Sequence, residues 1–305
     1  MKFPKAILVI AVAFVAVQLL SLLYISVALT SSDQAFPNPE DPMIAVYYLL
    51  LLLGFTLLFL ALIRFGLEKV LRIIFYVSLG LLIFLMNIIL ARLVVDNPDV
   101  LLILGLIFGG ASIVALSIKP EWYLIDAIGL AMAIGIVSLL GISLGILPVL
   151  ILLIALAIYD ALSVYKTKHM LKLAVGVVDM NLPLLLIIPK KLPYSYIEKK
   201  PKIQEEQPKE RDAFLVGLGD IIIPGLLPAS AFWFLNDEIM ILGLSGNFLV
   251  ALTAIIGGVI GLLFLMGIVM KGRPQAGLPL LNAGTIIGFF VGYLLVFGLD
   301  MSGII

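Results

Sequence analysis

Residues Trp122–Tyr165 read WYLIDAIGLAMAIGIVSLLGISLGILPVLILLIALAIYDALSVY, and how this run divides decides the fold. As one helix it would be about 66 Å long at 1.5 Å per residue, twice the roughly 30 Å hydrocarbon layer of a bilayer. A break belongs at Gly141-Ile-Ser-Leu-Gly145, with Pro148 in the first turn of the next helix, where a missing N–H is tolerated. The run becomes two membrane spans, near 122–140 and 146–165.

Working outward, the same length test marks spans near 6–29, 43–63, 71–91, 100–118, 213–235, 246–270 and 279–299, which makes nine. The first has an apolar run too long for a secretory signal, and no A-x-A site closes it. Composition agrees. Of 305 residues, 63% are apolar and 12% charged, half the charge a soluble surface carries. Net charge is zero, so no basic field draws nucleic acid. Cysteine is absent and His169 is the one histidine, which removes thiolate chemistry and histidine metal clusters; no metal and no cofactor are implied. The fold class is an all-α polytopic membrane protein.

Charge asymmetry sets the orientation. With the amino terminus in the cytoplasm, every lysine and arginine except Arg92 falls in a cytoplasmic segment. The positive-inside rule therefore predicts nine spans with the amino terminus inside and the carboxyl terminus outside. The chain divides into a six-helix part (1–165), a cytoplasmic loop (166–211) and a three-helix part (212–305). Within the loop, 167–180 reads as an interfacial amphipathic helix bearing His169. Leu182–Pro189 is apolar but too short to cross, and reads as an interfacial anchor. Lys190–Arg211 has the composition of a flexible linker. Rows of small residues (Gly257, Gly258, Gly261; Gly284, Gly288, Gly292) predict close helix packing in lipid.

Three carboxylates lie inside spans: Asp126, Asp160 and Asp220. Carboxylates at membrane depth are costly and mark functional sites by default. Asp160 stands six residues before Lys166 and Asp220 eight after Asp212, so both lie on the order of 10 Å below one interface. If their spans are neighbours, the two can face each other and share a proton, one as general base on water and the other polarising a carbonyl. A buried hydrogen-bonded pair or a cation path fits the spacing equally well. Asp126, shallower and behind Trp122 and Tyr123, reads as a supporting or solvated residue. Around Asp220, Gly217-Leu218-Gly219 permits close approach, and Pro224 and Pro228 free carbonyls that protein or water must satisfy.

These residues resemble the presenilin/signal peptide peptidase family. Tyr159-Asp160 closes one span, Gly217-Leu218-Gly219-Asp220 opens the next, and Leu278-Pro279 begins the last; GLGDIIIPG (217–225) is especially similar to the signal peptide peptidase side. The resemblance covers the nine-span plan over essentially the whole chain. It implies an intramembrane aspartyl protease with Asp160 and Asp220 as catalytic pair, no cofactor, and Tyr159, Gly217, Leu218, Gly219, Leu278 and Pro279 supporting substrate and site. The family's Pro-Ala-Leu-Pro falls on Ala276-Gly277-Leu278-Pro279, so its first two residues differ.

The implied partners are transmembrane-helix substrates and the lipid bilayer, with a homo-oligomer left open. A substrate helix must unwind to be cut, and its freed backbone calls for strand addition to an edge, with the segment before Asp212 and the region near Leu278 as candidates. An inside amino terminus matches the presenilin orientation and implies substrates that cross with their amino terminus outside. Leu182–Pro189 is then also a candidate for approach to the active site or for self-cleavage. The competing reading, a carboxylate-lined cation or proton transporter or channel, would show two related halves with paired broken helices, and no such repeat is visible. An inactive scaffold would not need both aspartates. The lack of N-x-[ST] sequons fits a prokaryotic or archaeal cell membrane.

Overall fold

The computed structural model describes residues 3–164, 182–190, 194–198, 213–236, 238–241, 243–269 and 275–299. Among these are nine α-helices: α1 (Phe3–Ala28), α2 (Met43–Arg64), α3 (Glu68–Ala91), α4 (Pro98–Ile118), α5 (Trp122–Ser143), α6 (Ile146–Leu162), α7 (Gly219–Phe234), α8 (Gly246–Val269) and α9 (Leu278–Phe297). Seven are long and apolar enough to cross a membrane; α6, with 17 residues, and α7, with 16, are shorter. The protein is an integral membrane protein, and its surface shows it: Leu50, Leu51 and Leu57 of α2 are each more than half exposed. Local signals set the boundaries. At α4, the Asn97 side chain accepts the N–H groups of Asp99 and Val100, and Pro98 fills the position where no donor is needed.

The break inside 122–165 falls where the glycines put it, between Ser143 and Ile146. Gly145 opens α6 and donates its N–H to the Pro39 carbonyl at 2.7 Å; a Cβ there would stand 2.9 Å from Glu40 Cα. Gln34 and Ala35 bond the Ile142 carbonyl and the Ser143 hydroxyl, tying the α1–α2 connection to this turn. The donor that would serve the Leu144 carbonyl four residues on is missing at Pro148, and the Ser230 hydroxyl supplies it at 2.7 Å.

Two expectations are corrected. The stretch 213–235 is not helical throughout: Ala213–Gly217 is a strand, β2, and the helix begins only at Gly219. Leu182–Pro189 is not a simple interfacial anchor, since Leu185–Pro189 is a strand, β1, antiparallel to β2 with Ile187 opposite Leu215. Gly217 and Gly219 flank Leu218 and each costs about 1 kcal/mol of helix propensity, so the helix does not extend back past Gly219. Pairing the two short apolar runs lets each satisfy the other's backbone groups. The ladder runs on as Leu218 N–H donates to the Leu184 carbonyl at 3.0 Å. A second small pair joins β3 (Met240–Ile241) to β4 (Leu244–Ser245) ahead of α8. The expected amphipathic helix 167–180 with His169, and most of the linker 190–211, lie outside the described residues.

The chain forms two compact units. One comprises Met1–Val9, Leu52–Gly135 and His169–Leu218; the other comprises Ile10–Leu51, Ile136–Lys168 and Gly219–Ile305. In the first, α3 and α4 meet through glycines: a Cβ on Gly109 would stand 2.6 Å from the Gly80 carbonyl oxygen. Gly129 of α5 faces Leu218 and Pro183 in the same way, so the strand pair lies close on α5. In the second, the glycine rows of α8 and α9 interlock, Gly257 against Gly284 and Gly261 against Leu280, as their spacing predicts. Asn282 of α9 donates to the Leu153 carbonyl of α6 at 2.8 Å, while its own Oδ1 is buried without a partner.

Candidate active site

Asp160 and Asp220 both belong to the second unit and sit on its two short helices. Asp160 lies three residues before Ser163 closes α6 and is 3% exposed. Asp220 is the second residue of α7 and half-buried, while Gly219 beside it is exposed; a Cβ there would meet the end of the Ile223 side chain at 3.9 Å.

The start of α9 brings the two carboxyls to one place. The first N–H groups of a helix have no partner inside it, and the helix dipole favours negative charge there. Here those donors aim at Asp160: the Leu278 N–H meets Oδ2 at 3.0 Å, and the Gly277 N–H also bonds this carboxyl. Pro279 has no N–H to waste in that first turn. Gly277 at the same time faces Asp220: a Cβ on it would stand 3.1 Å from Oδ1 and 3.2 Å from both Cγ and Oδ2. One dipeptide, Gly277-Leu278, thus bonds Asp160 through an N–H and leaves beside Asp220 the room that a side chain would fill.

The other sequence-predicted residues are placed as follows. Leu278 contributes its backbone, and its side chain is buried with that of Ala276. Leu218 is buried near Gly129, where it holds the strand pair to α5. Gly217 ends β2, three residues along the chain from Asp220. Tyr159, next to Asp160 on α6, is 43% exposed where Asp160 is 3% exposed.

Two features escaped sequence reasoning. The closeness of Gly277 to Asp220 was hidden in a motif position where glycine only looked like a departure. The role of Asp126 is also new. Its Oδ1 accepts the Ile187 N–H of β1 at 2.8 Å, and Glu121, five residues earlier and just ahead of α5, accepts the Ser195 hydroxyl at 2.8 Å and the Tyr196 N–H at 2.9 Å. Two carboxylates at the start of α5 therefore hold the segment after α6 at two points. Among the described residues, no three His, Asp or Glu side chains gather as a metal site would require.

A family model described as signal-peptide peptidase, presenilin aspartyl protease matches residues 11–298. A solved structure of a presenilin family intramembrane aspartate protease in space group C222 has TM-score 0.68 and 30% identity, covering 95% of this chain and 99% of that one. Another, in space group P2, has TM-score 0.65 and 30% identity, covering 93% and 96%. No curated protein matched.

Proposed function

The chain belongs to the signal-peptide peptidase and presenilin aspartyl protease family, and from that premise we propose that Asp160 and Asp220 are its catalytic dyad, cutting peptide bonds within transmembrane helices of membrane proteins or signal peptides. The protein is an aspartic endopeptidase. The observation that supports the dyad is the Gly277-Leu278 dipeptide: the Leu278 N–H bonds Asp160 at 3.0 Å, and a side chain on Gly277 would strike the Asp220 carboxyl.

The chemistry follows from the pair. One carboxylate takes a proton from water as the oxygen attacks the scissile carbonyl carbon. The other, protonated, donates a hydrogen bond to the carbonyl oxygen. Proton return to the leaving nitrogen releases the amine, and neither a covalent intermediate nor a metal is required. The N–H groups of Gly277 and Leu278 orient Asp160, a task that needs no side chain.

Substrate binding is strand addition. A helix unwound for cleavage exposes backbone donors and acceptors that need partners. β2 offers them three residues along the chain from Asp220, and its partner β1 makes it the outer strand of a pre-formed pair. The charge partition supports a cytoplasmic amino terminus, with residues 1–165 supplying Asp160, 212–305 supplying Asp220, and substrates crossing with their amino terminus outside.

The test uses purified protein in liposomes with a tagged single-span substrate, beside the Asp160→Asn and Asp220→Asn variants. Cleavage inside the span is expected for the wild type and its loss in either variant. Retained cleavage in a folded Asp160→Asn or Asp220→Asn protein would remove that residue from the dyad.

A further inference from the structure

An antiparallel pair has two outer edges, and on each strand alternate residues turn their N–H and C=O outward. The Ile187 N–H is given to Asp126, so Ile187 and its partner Leu215 form a non-hydrogen-bonded pair. The Leu218–Leu184 bond confirms the phase, since it falls in the alternate set with 186 and 188 facing 216 and 214. The outward residues of β1 are therefore Leu185, Ile187 and Pro189, and those of β2 are Ala213, Leu215 and Gly217.

The two edges are unequal. On β1, Pro189 has no N–H and the Ile187 N–H is occupied by a carboxylate, so two of three outward donors are closed. On β2 all three outward residues carry an N–H, and no described residue bonds them. Gly129 lets α5 approach the strands closely, so the helix bearing Asp126 is held where its carboxylate reaches β1.

We infer that Asp126 is a positioning residue for proteolysis: it closes the outer edge of β1, so an extended substrate pairs with β2 alone and in one register. The inference rests on the strand-addition reading above. A carboxylate is suited to the task because it accepts the N–H strongly and leaves no donor for a second strand. An open two-sided pair would let the substrate join either edge or slip by two residues, the step that keeps hydrogen bonds in phase.

The experiment measures kcat, KM and the cleavage positions by mass spectrometry for a tagged single-span substrate in liposomes. Asp126→Ala should raise KM about tenfold, change kcat less than about threefold, and spread the cuts to positions two residues from the main one. Asp126→Asn, whose amide oxygen still accepts the Ile187 N–H, should match wild type within about twofold. Ile187→Pro, which removes the donor but keeps the edge closed, should retain a single cleavage position. That variant decides the matter even if Asp126→Ala does not fold. Wild-type KM and cuts in folded Asp126→Ala, Asn behaving like Ala, or spread cuts in Ile187→Pro would each overturn the inference. Leu215→Pro separates the two levels, since it removes the central outward N–H of β2 and should raise KM. If it cleaves like wild type, strand addition itself falls; if only Asp126→Ala is silent, the edge closure alone falls.

Discussion

Adding one methyl group at Gly277 probes the site without touching either carboxyl covalently. Gly277 has φ −80° and ψ −49°, a conformation open to alanine, so Gly277→Ala introduces no backbone strain. The new Cβ would stand 3.1–3.2 Å from three atoms of the Asp220 carboxyl. Ordinary contact begins near 3.5 Å, so the carboxyl must recede by roughly 0.4 Å. A 1 Å misplacement of a reacting group costs about 10²-fold in rate, which scales to a fall in kcat of about sixfold, or about 1 kcal/mol of barrier. KM should move less than about twofold, because the methyl meets Asp220 and not the β2 edge. Stability should hold, as the entropy gained by losing a glycine, about 0.4–1 kcal/mol, offsets the crowding. The assay is initial rates against substrate fraction in liposomes, with thermal unfolding alongside, extended to Gly277→Val for a steeper loss. An unchanged kcat in folded Gly277→Ala and Gly277→Val would refute the placement of Asp220 beside this residue or its need to stay there.

Three further outcomes are expected. The rate against pH should be bell-shaped, falling in acid as both carboxyls hold protons and in base as both lose them; a plateau on either side would remove one partner from the chemistry. Ser230→Ala leaves the Leu144 carbonyl without its donor and should cost about 1–3 kcal/mol, seen as a lower unfolding temperature with cleavage per folded molecule retained. Gly284→Val drives a side chain into the Gly257 backbone and should cost at least about 1–3 kcal/mol; a protein as stable as wild type would place α8 and α9 farther apart than their glycines indicate.

The helices and the two aspartates were legible because their signals are local. Apolar length and punctuation at Gly145 and Leu278-Pro279 mark where helices start, and depth counted from the nearest charge singles out Asp160 and Asp220. The strand pair was not legible. Leu185–Pro189 and Ala213–Gly217 are short apolar runs without alternation, a pattern strands share with buried helix segments, and their pairing spans the whole intervening loop. The same distance hid the task of Asp126, since nothing near it in sequence foretells a bond to Ile187. Gly277 illustrates a third limit: a missing side chain gains meaning only from what would have struck it.

The two helices that carry the proposed catalytic pair are the shortest of the nine described. At 1.5 Å per residue, α6 and α7 are about 25 and 24 Å long, five or six ångströms less than the hydrocarbon layer. A bilayer meeting such helices thins around them or admits headgroups and water at their ends. Asp160 lies in the last turn of one and Asp220 in the first turn of the other, so with the proposed dyad the deficit would fall where hydrolysis needs its water. The enzyme thus carries a dimple in its own solvent, and the acyl-chain length of the surrounding lipid becomes a variable of its rate, with shorter chains matching the dimple and longer chains opposing it.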